Sequence, residues 1–263
     1  MKALITGASS GIGRDMAYYL AKKGYDLILV ARRKSRLEEI SKKANTNVKI
    51  IELDLADEVN VYKLYDLVKD EKIDMLINNA GFGLFGMFYK TDLNRELEMI
   101  NVNVKAPHIL TKLFLKDFIK KNSGYILNVC SSAGFMAGPR LNTYYATKNY
   151  ITKLTMGINE ELRQMGSKVQ VSALCPGPVS TEFNKVAKGK FAVKEADSEY
   201  VARYAIDKLL AGKMIIVPTL RMKLTLFAMR FAPYRLQLKV AYNIQKRKSD
   251  EWFSFLFVNN MLF

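Results

Sequence analysis

The chain has 263 residues, 49 % of them apolar, with 15 Gly and 6 Pro scattered along it, which excludes a disordered or fibrous protein and allows a sizeable core. Its 41 Lys and Arg against 25 Asp and Glu leave a net charge of +16, and ten of the cations fall between Lys208 and Ser249, where there is no acid; such a patch draws anionic membrane, phosphorylated ligands or nucleic acid. Two cysteines and one histidine exclude a disulfide scaffold and a zinc cluster.

Ala3-Leu4-Ile5 begins the first apolar run, residues 3–6, which turns at Gly7. It is too short for a signal peptide, and no stretch approaches the ~18 uninterrupted apolar residues of a membrane span, so a cytoplasmic protein is expected. Further runs rich in Ile, Leu and Val lie at 26–31, 48–53, 74–77, 125–130, 169–174 and 214–217. Helical spacing occupies 12–23, 34–43, 57–70, 92–120, 144–165 and 198–211. Runs that are apolar throughout predict strands covered on both faces, and their alternation with helices predicts a single doubly wound α/β domain over residues 1–217. Cys130 and Cys175 each end such a run and are expected to pack as small apolar groups. His108 falls in a helical segment, where a surface or packing role is expected.

Thr6-Gly7-Ala8-Ser9-Ser10-Gly11-Ile12-Gly13 follows the first strand and opens the first helix. Glycines in that turn let the backbone approach a pyrophosphate held on free N–H groups at a helix N-terminus. After the second strand stands Ala31-Arg32-Arg33, where enzymes using NAD commonly place an acid for the ribose 2′-hydroxyl; a guanidinium fork there suits a 2′-phosphate instead. Tyr144-Tyr145-Ala146-Thr147-Lys148 puts a phenol and an ammonium four residues apart on one helix face. A cation beside a phenol draws its reference pKa of ~10 downward, so that Tyr144 can donate a proton to a carbonyl oxygen or take one from an alcohol. Ser131 lies thirteen residues before Tyr144, at the tip of the fifth strand, with Gly134 three further on. Tyr145 with Ser132, at the same separation, is a second frame that geometry alone tolerates.

The Gly-x-x-x-Gly-x-Gly spacing resembles the short-chain dehydrogenase/reductase family. The similarity continues in the family's order over residues 1–217, through Asp54-Leu55, Asn78-Asn79-Ala80-Gly81, Ser131 with Tyr144-x-x-x-Lys148, and Pro176-Gly177-Pro178-Val179-Ser180-Thr181. The resemblance implies a Rossmann-like parallel sheet of about seven strands in the order 3-2-1-4-5-6-7 with helices on both faces. It implies an NADP(H)-dependent oxidoreductase that reduces a carbonyl or oxidises an alcohol without a metal. Gly7, Ser9, Ser10, Gly11, Ile12 and Gly13 would hold the pyrophosphate, and Arg32, with Arg33, the 2′-phosphate. Ser10 stands where some NADP-using members carry a basic residue. Asp54 and Leu55 would contact the adenine, Asn79, Ala80 and Gly81 the adenosine ribose, and Pro176, Gly177, Val179 and Thr181 the nicotinamide. Tyr144 would be the acid/base, Lys148 its tuner and the holder of the nicotinamide ribose, and Ser131 the partner of the substrate oxygen. Asn103 would pass the proton on through a water; the family's Asn-x-x-Gly aligns with Asn103-Val104-Lys105-Ala106, with Ala in place of Gly, and Asn101 is the competitor for that place. The alternative function is a sensor or scaffold that binds NADP(H) without turnover, against which the intact Ser, Tyr and Lys argue.

Residues 182–197 are expected to form a lid whose Lys185, Lys188, Lys190, Lys194, Phe183 and Phe191 suit an apolar or anionic carbonyl compound. In the extension 218–263, Leu224, Phe227 and Phe231 fall at helix spacing, with Lys223 and Arg230 on another face, until Pro233. Trp252-Phe253-Ser254-Phe255-Leu256-Phe257 is too apolar to leave in water. Packing between subunits of a homodimer or homotetramer is the plain account of this helical, basic and aromatic extension. An interfacial anchor at the inner face of a membrane, serving a lipid-like substrate, is the sharper one. Nucleic acid is not expected, because the aromatics are not interleaved with the charges as a stacking platform requires.

Overall fold

The computed structural model describes residues 1–183, 187 and 195–246. The expected lid falls mostly outside these residues, as does the Trp252–Phe257 segment. Seven parallel strands form one sheet: β1 (Lys2–Thr6), β2 (Asp26–Ala31), β3 (Val48–Glu52), β4 (Met75–Asn78), β5 (Tyr125–Val129), β6 (Gln170–Leu174) and β7 (Ile215–Ile216). Their order is β3-β2-β1-β4-β5-β6-β7, with Leu4 paired to Ile28 on one side and to Leu76 on the other. The helices are α1 (Gly11–Lys22), α2 (Lys34–Lys43), α3 (Glu58–Asp66), α4 (Leu93–Ile100), α5 (Ala106–Lys120), α6 (Asn142–Gln164), α7 (Ser198–Leu210), α8 (Leu220–Met229) and α9 (Tyr234–Lys246).

Successive residues of a strand point to opposite faces, and each face has its own core. Ala3, Ile5, Leu27, Leu29 and Ile77 pack against Met16 and Leu20 of α1, Leu37 of α2, and Val201 and Ile206 of α7. Leu4, Ile28, Val30, Leu76 and Ile126 pack against Leu64 of α3, Leu110, Phe114 and Phe118 of α5, and Leu162 of α6. Double coverage is why these strands read as unbroken apolar runs. Full burial of a Leu or Ile side chain is worth roughly 1.5–3 kcal/mol, against ~0–1 kcal/mol for an exposed ion pair. The two cores, rather than the surface charges, hold the sheet.

Helix starts follow local chemistry. Asp57 accepts from the Val59 N–H at 2.9 Å, Asp92 from Arg95 at 2.7 Å and Asp197 from Tyr200 at 2.8 Å, satisfying donors that a first turn leaves over. The single helix expected over 92–120 is three pieces: α4, a π-helical turn at Asn101–Lys105, and α5. There the Ala106 N–H reaches the Asn101 carbonyl, five residues back. Pro107, which has no N–H to give, follows at once. At the other end, Pro233 both ends the α8 pattern and starts α9, its carbonyl accepting from the Leu236 and Gln237 N–H groups.

Between β1 and β4 the chain winds outward in opposite directions. This is the switch point at which open α/β sheets bind ligands beyond their carboxyl ends.

Candidate active site

The turn after β1 is shaped by contacts that leave no room for side chains. A Cβ on Gly7, whose φ is +64°, would lie 2.7 Å from the Ala80 Cα, and one on Gly13 would lie 2.3 Å from the Asn79 amide nitrogen. Asn79 Nδ2 donates to the carbonyls of Thr6 and Gly7 at 3.1 and 3.0 Å. The Thr6 hydroxyl accepts from the backbone N–H groups of Asn79 and Ala80. Asn79, expected beside a ribose, therefore braces the glycine turn from β4. Ser10 starts α1 without a side-chain cap, so Gly11, Ile12 and Gly13 offer their N–H groups outward at the positive end of the helix. Asp54 accepts from the Ala56 N–H at 3.0 Å, and Leu55 beside it is buried.

The arginines after β2 divide differently from the expectation that Arg32 leads. Arg32 turns away, 3.5 Å from Asp54 and from Glu98, and is more than half exposed. Arg33 lies over the glycine turn, donating to the Ser9 hydroxyl at 3.2 Å and the Ser10 hydroxyl at 3.0 Å. It also donates to Glu182 at 2.9 Å, and Arg36 donates to the other oxygen of that carboxylate at 2.5 Å. The two guanidinium groups pull the Glu182 pKa down to about 2. The role of Arg36 was not expected from the sequence, although its place three residues after Arg33 in the first turn of a helix is a signal for a shared face.

At the ends of β4 and β5 four further side chains meet. The Ser131 hydroxyl accepts from the Ala133 N–H at 3.1 Å, starting a short 3-10 turn, and stands near enough to the Tyr144 phenol to favour its ionised form. Lys148 Nζ is buried, donates to the Val129 carbonyl at 2.8 Å and lies 5.8 Å from the Tyr144 ring centre. Asn103, in the π turn, accepts from the Phe82 N–H at 3.1 Å and donates to the Phe82 carbonyl at 2.9 Å and to Thr147 at 3.1 Å. Asn103 is buried and Asn101 is half-buried. A Cβ on Gly81 would stand 3.0 Å from Asn103 Oδ1 and 3.4 Å from Lys148 Nζ, so the floor between them must be backbone. Gly134 carries the same constraint, 2.2 Å from the Thr152 hydroxyl.

Electrostatics differ from the sequence expectation in one respect. Burial drives the Tyr144 phenol above its ordinary pKa, and the nearby Ser131 only pulls it partly back. Lys148, itself lowered by burial, spends a donor on the Val129 carbonyl. Desolvation thus sets the direction of the Tyr144 shift, and the phenol keeps its proton. Beneath them the thiols of Cys130 and Cys175 are free and buried, that of Cys175 donating to the Ala173 carbonyl at 3.8 Å.

Tyr145 belongs to another set of contacts. Its hydroxyl accepts from Gln245 of α9 at 2.7 Å, and its ring fills the space over Gly138. Buried Glu96 accepts from Thr143 at 2.9 Å, tying α4 to the first turn of α6, where Tyr144 sits. The Phe183 ring stands 5.2 Å from that of Tyr144, and Met222 of α8 lies over Gly177. Thr181 packs on Gly11, so the loop after β6 bridges the glycine turn and the Tyr144 end. Among the described residues no group of His, Cys, Asp and Glu is arranged to hold a metal. His108 meets Tyr150 at 3.0 Å on the surface.

The glycine turn, the arginines and the Ser131–Tyr144–Lys148–Asn103 cluster lie along the carboxyl edge of the sheet. The family model described as short chain dehydrogenase matches residues 1–190. An uncharacterized oxidoreductase of Staphylococcus saprophyticus is 33 % identical over 211 residues, covering 78 % of this chain and 85 % of the relative. A very-long-chain 3-oxoacyl-CoA reductase of Anas platyrhynchos is 30 % identical over 72 % of this chain and 63 % of its own length. Among solved structures, a short-chain dehydrogenase from Sphingobium yanoikuyae in complex with NADPH superposes with a TM-score of 0.79 at 28 % identity, over 87 % of this chain and 92 % of the other.

Proposed function

We propose that this chain, which belongs to the short-chain dehydrogenase/reductase family of NAD(P)-dependent oxidoreductases, uses NADP(H) to reduce an apolar carbonyl compound, with Tyr144 as proton donor. The observation that carries this reading is that Ser131, Tyr144, Lys148 and Asn103 gather beyond the carboxyl ends of β4 and β5, with Asn103 and Lys148 both against Gly81. When bound, the nicotinamide supplies the hydride. The close packing of Gly7 and Gly13 on Asn79 and Ala80, which draws a bare-backbone turn onto the sheet's carboxyl edge, fits such a cofactor. The N–H groups at the start of α1 would take the pyrophosphate, and buried Lys148 the nicotinamide ribose.

The chain's own part is positional and protonic. Ser131 and Tyr144, side by side, present two hydroxyls to one substrate oxygen. The raised pKa of Tyr144 keeps its proton available until negative charge develops on that oxygen, and Ser131 steadies the charge. Asn103, fixed by Phe82 and Thr147, stands beside Lys148 as the next station for proton resupply. Phe183 gives the substrate side an apolar wall against Tyr144, in keeping with an acyl or lipid-like carbonyl. The test is NADPH consumption against aldehydes, ketones and 3-oxoacyl thioesters of graded chain length. Turnover that rises with apolar length is expected; activity confined to small polar carbonyls would discard the substrate class.

For the 2′-phosphate, Arg33 and Arg36 are the holders, with Arg32 flanking. A charge-assisted contact of this kind is worth roughly 1.5–3 kcal/mol, so Arg33→Ala is expected to weaken NADPH by about tenfold to a hundredfold and to spare NADH. Equal titration of the unmutated chain by NADH and NADPH would discard NADP(H).

The α8–α9 pair is read as a surface for anionic membrane, at its inner face. Leu220, Leu224, Phe227 and Phe231 recur every three or four residues and are 70, 60, 59 and 75 % exposed. They stand opposite the half-buried Met222, Leu226 and Met229, with Arg221 on one flank and Lys223 and Arg230 on the other. No described helix is long and apolar enough to cross a membrane, so the helix pair would lie on it. A dimer or tetramer would pair other surfaces.

A further inference from the structure

Loops from three strand ends meet at Arg33. Its guanidinium donates to Ser9 and Ser10 in the turn after β1 and to one oxygen of Glu182 in the loop after β6. Arg36 takes the other oxygen of Glu182. An internal carboxylate therefore sits between two guanidinium groups where a 2′-phosphate has been assigned. A carboxylate and a phosphomonoester make the same demand on such a pair, oxygen acceptors lying along the guanidinium donors. Only one of them can have it at a time.

We propose that Glu182 sets the cofactor selectivity of this enzyme: its carboxylate occupies the Arg33–Arg36 pair in competition with the 2′-phosphate of NADP(H), and so moderates the preference for NADP(H) over NAD(H). This rests on the assignment of that pair to the 2′-phosphate.

Three observations support the competition. Both arginines hold the carboxylate in its ionised form, with its pKa near 2, so it remains an anion at any working pH. The side chains of Arg33, Arg36 and Glu182 are 44, 41 and 38 % exposed. Pairs this open to water are individually weak, and the carboxylate can be displaced rather than closing the site. Finally, Ala31 is followed by Arg32, not by the acid that accepts from the ribose 2′-hydroxyl in enzymes using NAD. Glu182 brings a carboxylate to the same rim from a different strand. A ribose hydroxyl can donate to that carboxylate, whereas a phosphate meets it as a like charge.

If the carboxylate holds the arginine pair nine-tenths of the time, apparent affinity for the phosphate-bearing cofactor falls about tenfold. The experiment titrates the full-length chain and its Glu182→Gln and Glu182→Ala variants with NADPH, NADH, adenosine 2′,5′-bisphosphate and 5′-AMP. Both variants are expected to tighten NADPH and the bisphosphate by about tenfold, while NADH and AMP stay level or weaken. In an Arg33→Ala, Arg36→Ala background the Glu182→Gln change is expected to do nothing. An unchanged or lowered NADPH-to-NADH affinity ratio in the Glu182 variants overturns the proposal, as does a full effect in the arginine-free background. The underlying assignment fails separately, if removing both arginines leaves the ratio of bisphosphate to AMP affinity as it was.

Discussion

Tyr144 and Tyr145 are adjacent in sequence and opposite in surroundings. Tyr144 lies between Ser131 and Lys148, whereas the Tyr145 hydroxyl is taken by Gln245 of a distant helix. Tyr144→Phe is therefore expected to lower kcat by a factor of a thousand or more, on the order of what a lost acid/base removes, while NADPH titrates almost as before. Tyr145→Phe is expected to keep most of kcat but to lower the unfolding free energy by about 1–3 kcal/mol, because it orphans the buried Gln245 amide. The opposite pattern in steady-state rates and urea melts would transfer the chemistry to Tyr145. The pH dependence follows from the direction of the Tyr144 shift. A phenol must be protonated to donate, and burial raises its pKa, so the protonated form persists as pH climbs. Reduction is expected to stay level from about pH 6 to 9, and oxidation, which needs the phenolate, to accelerate across the same range. A reduction rate that fell through neutral pH would mean that Lys148, and not desolvation, governs this tyrosine.

Between α4 and α5 the π turn is what brings Asn103 inward. One turn of i→i−5 bonding inserts a residue into the helical repeat, and such turns recur at functional sites. Asn103 then satisfies both the N–H and the carbonyl of Phe82, fixing the backbone after Gly81 against the Tyr144 helix through Thr147. Asn103→Ala leaves these buried groups unpaired at about 1–3 kcal/mol apiece. The expected result is a clear loss of stability in denaturant titration together with a lowered kcat; unchanged stability would mean that the π turn holds itself. Very little of this was legible beforehand. The strands were, because coverage on both faces writes an apolar run that cannot be confused with a surface strand, and the glycine turn was, because its spacing sits between a strand and a helix. A π turn leaves the apolar spacing of 92–120 almost intact, and Pro107 is its only local sign. Arg32 and Arg33 are equivalent as letters. Which one faces the glycine turn is decided by the direction in which the chain leaves β2, and Glu182 reaches them only through the tertiary fold.

At the scale of the molecule, unopposed cations and exposed apolar side chains coincide on the α8–α9 pair. The outward stripe Leu220, Leu224, Phe227 and Phe231 continues onto α9 in exposed Leu236, Val240 and Ile244, with Arg235 and Lys239 among them. Pairing this face with its copy in a second subunit is unfavourable, since an isologous contact would set cations against cations with no acid between Lys208 and Ser249 to offset them. An anionic leaflet reverses that sign, each Lys or Arg near it contributing about 1 kcal/mol within a Debye length. The inner face of α8 reaches the site through Met222 over Gly177, and α9 is tied to the Tyr144 helix through Gln245 on Tyr145, so docking would place the site close to the source of an apolar carbonyl. Co-sedimentation of the full chain with vesicles of phosphatidylcholine alone, or with added phosphatidylglycerol, separates the accounts. Binding is expected only to the anionic vesicles, is expected to weaken at high salt, and should be lost in a Phe227→Gln, Phe231→Gln double variant that still turns over a soluble substrate. If instead that variant dissociates a salt-resistant oligomer, the stripe is a subunit interface. If it binds vesicles as before while Trp252→Ser, Phe253→Ser does not, the anchor is the terminal segment and not α8.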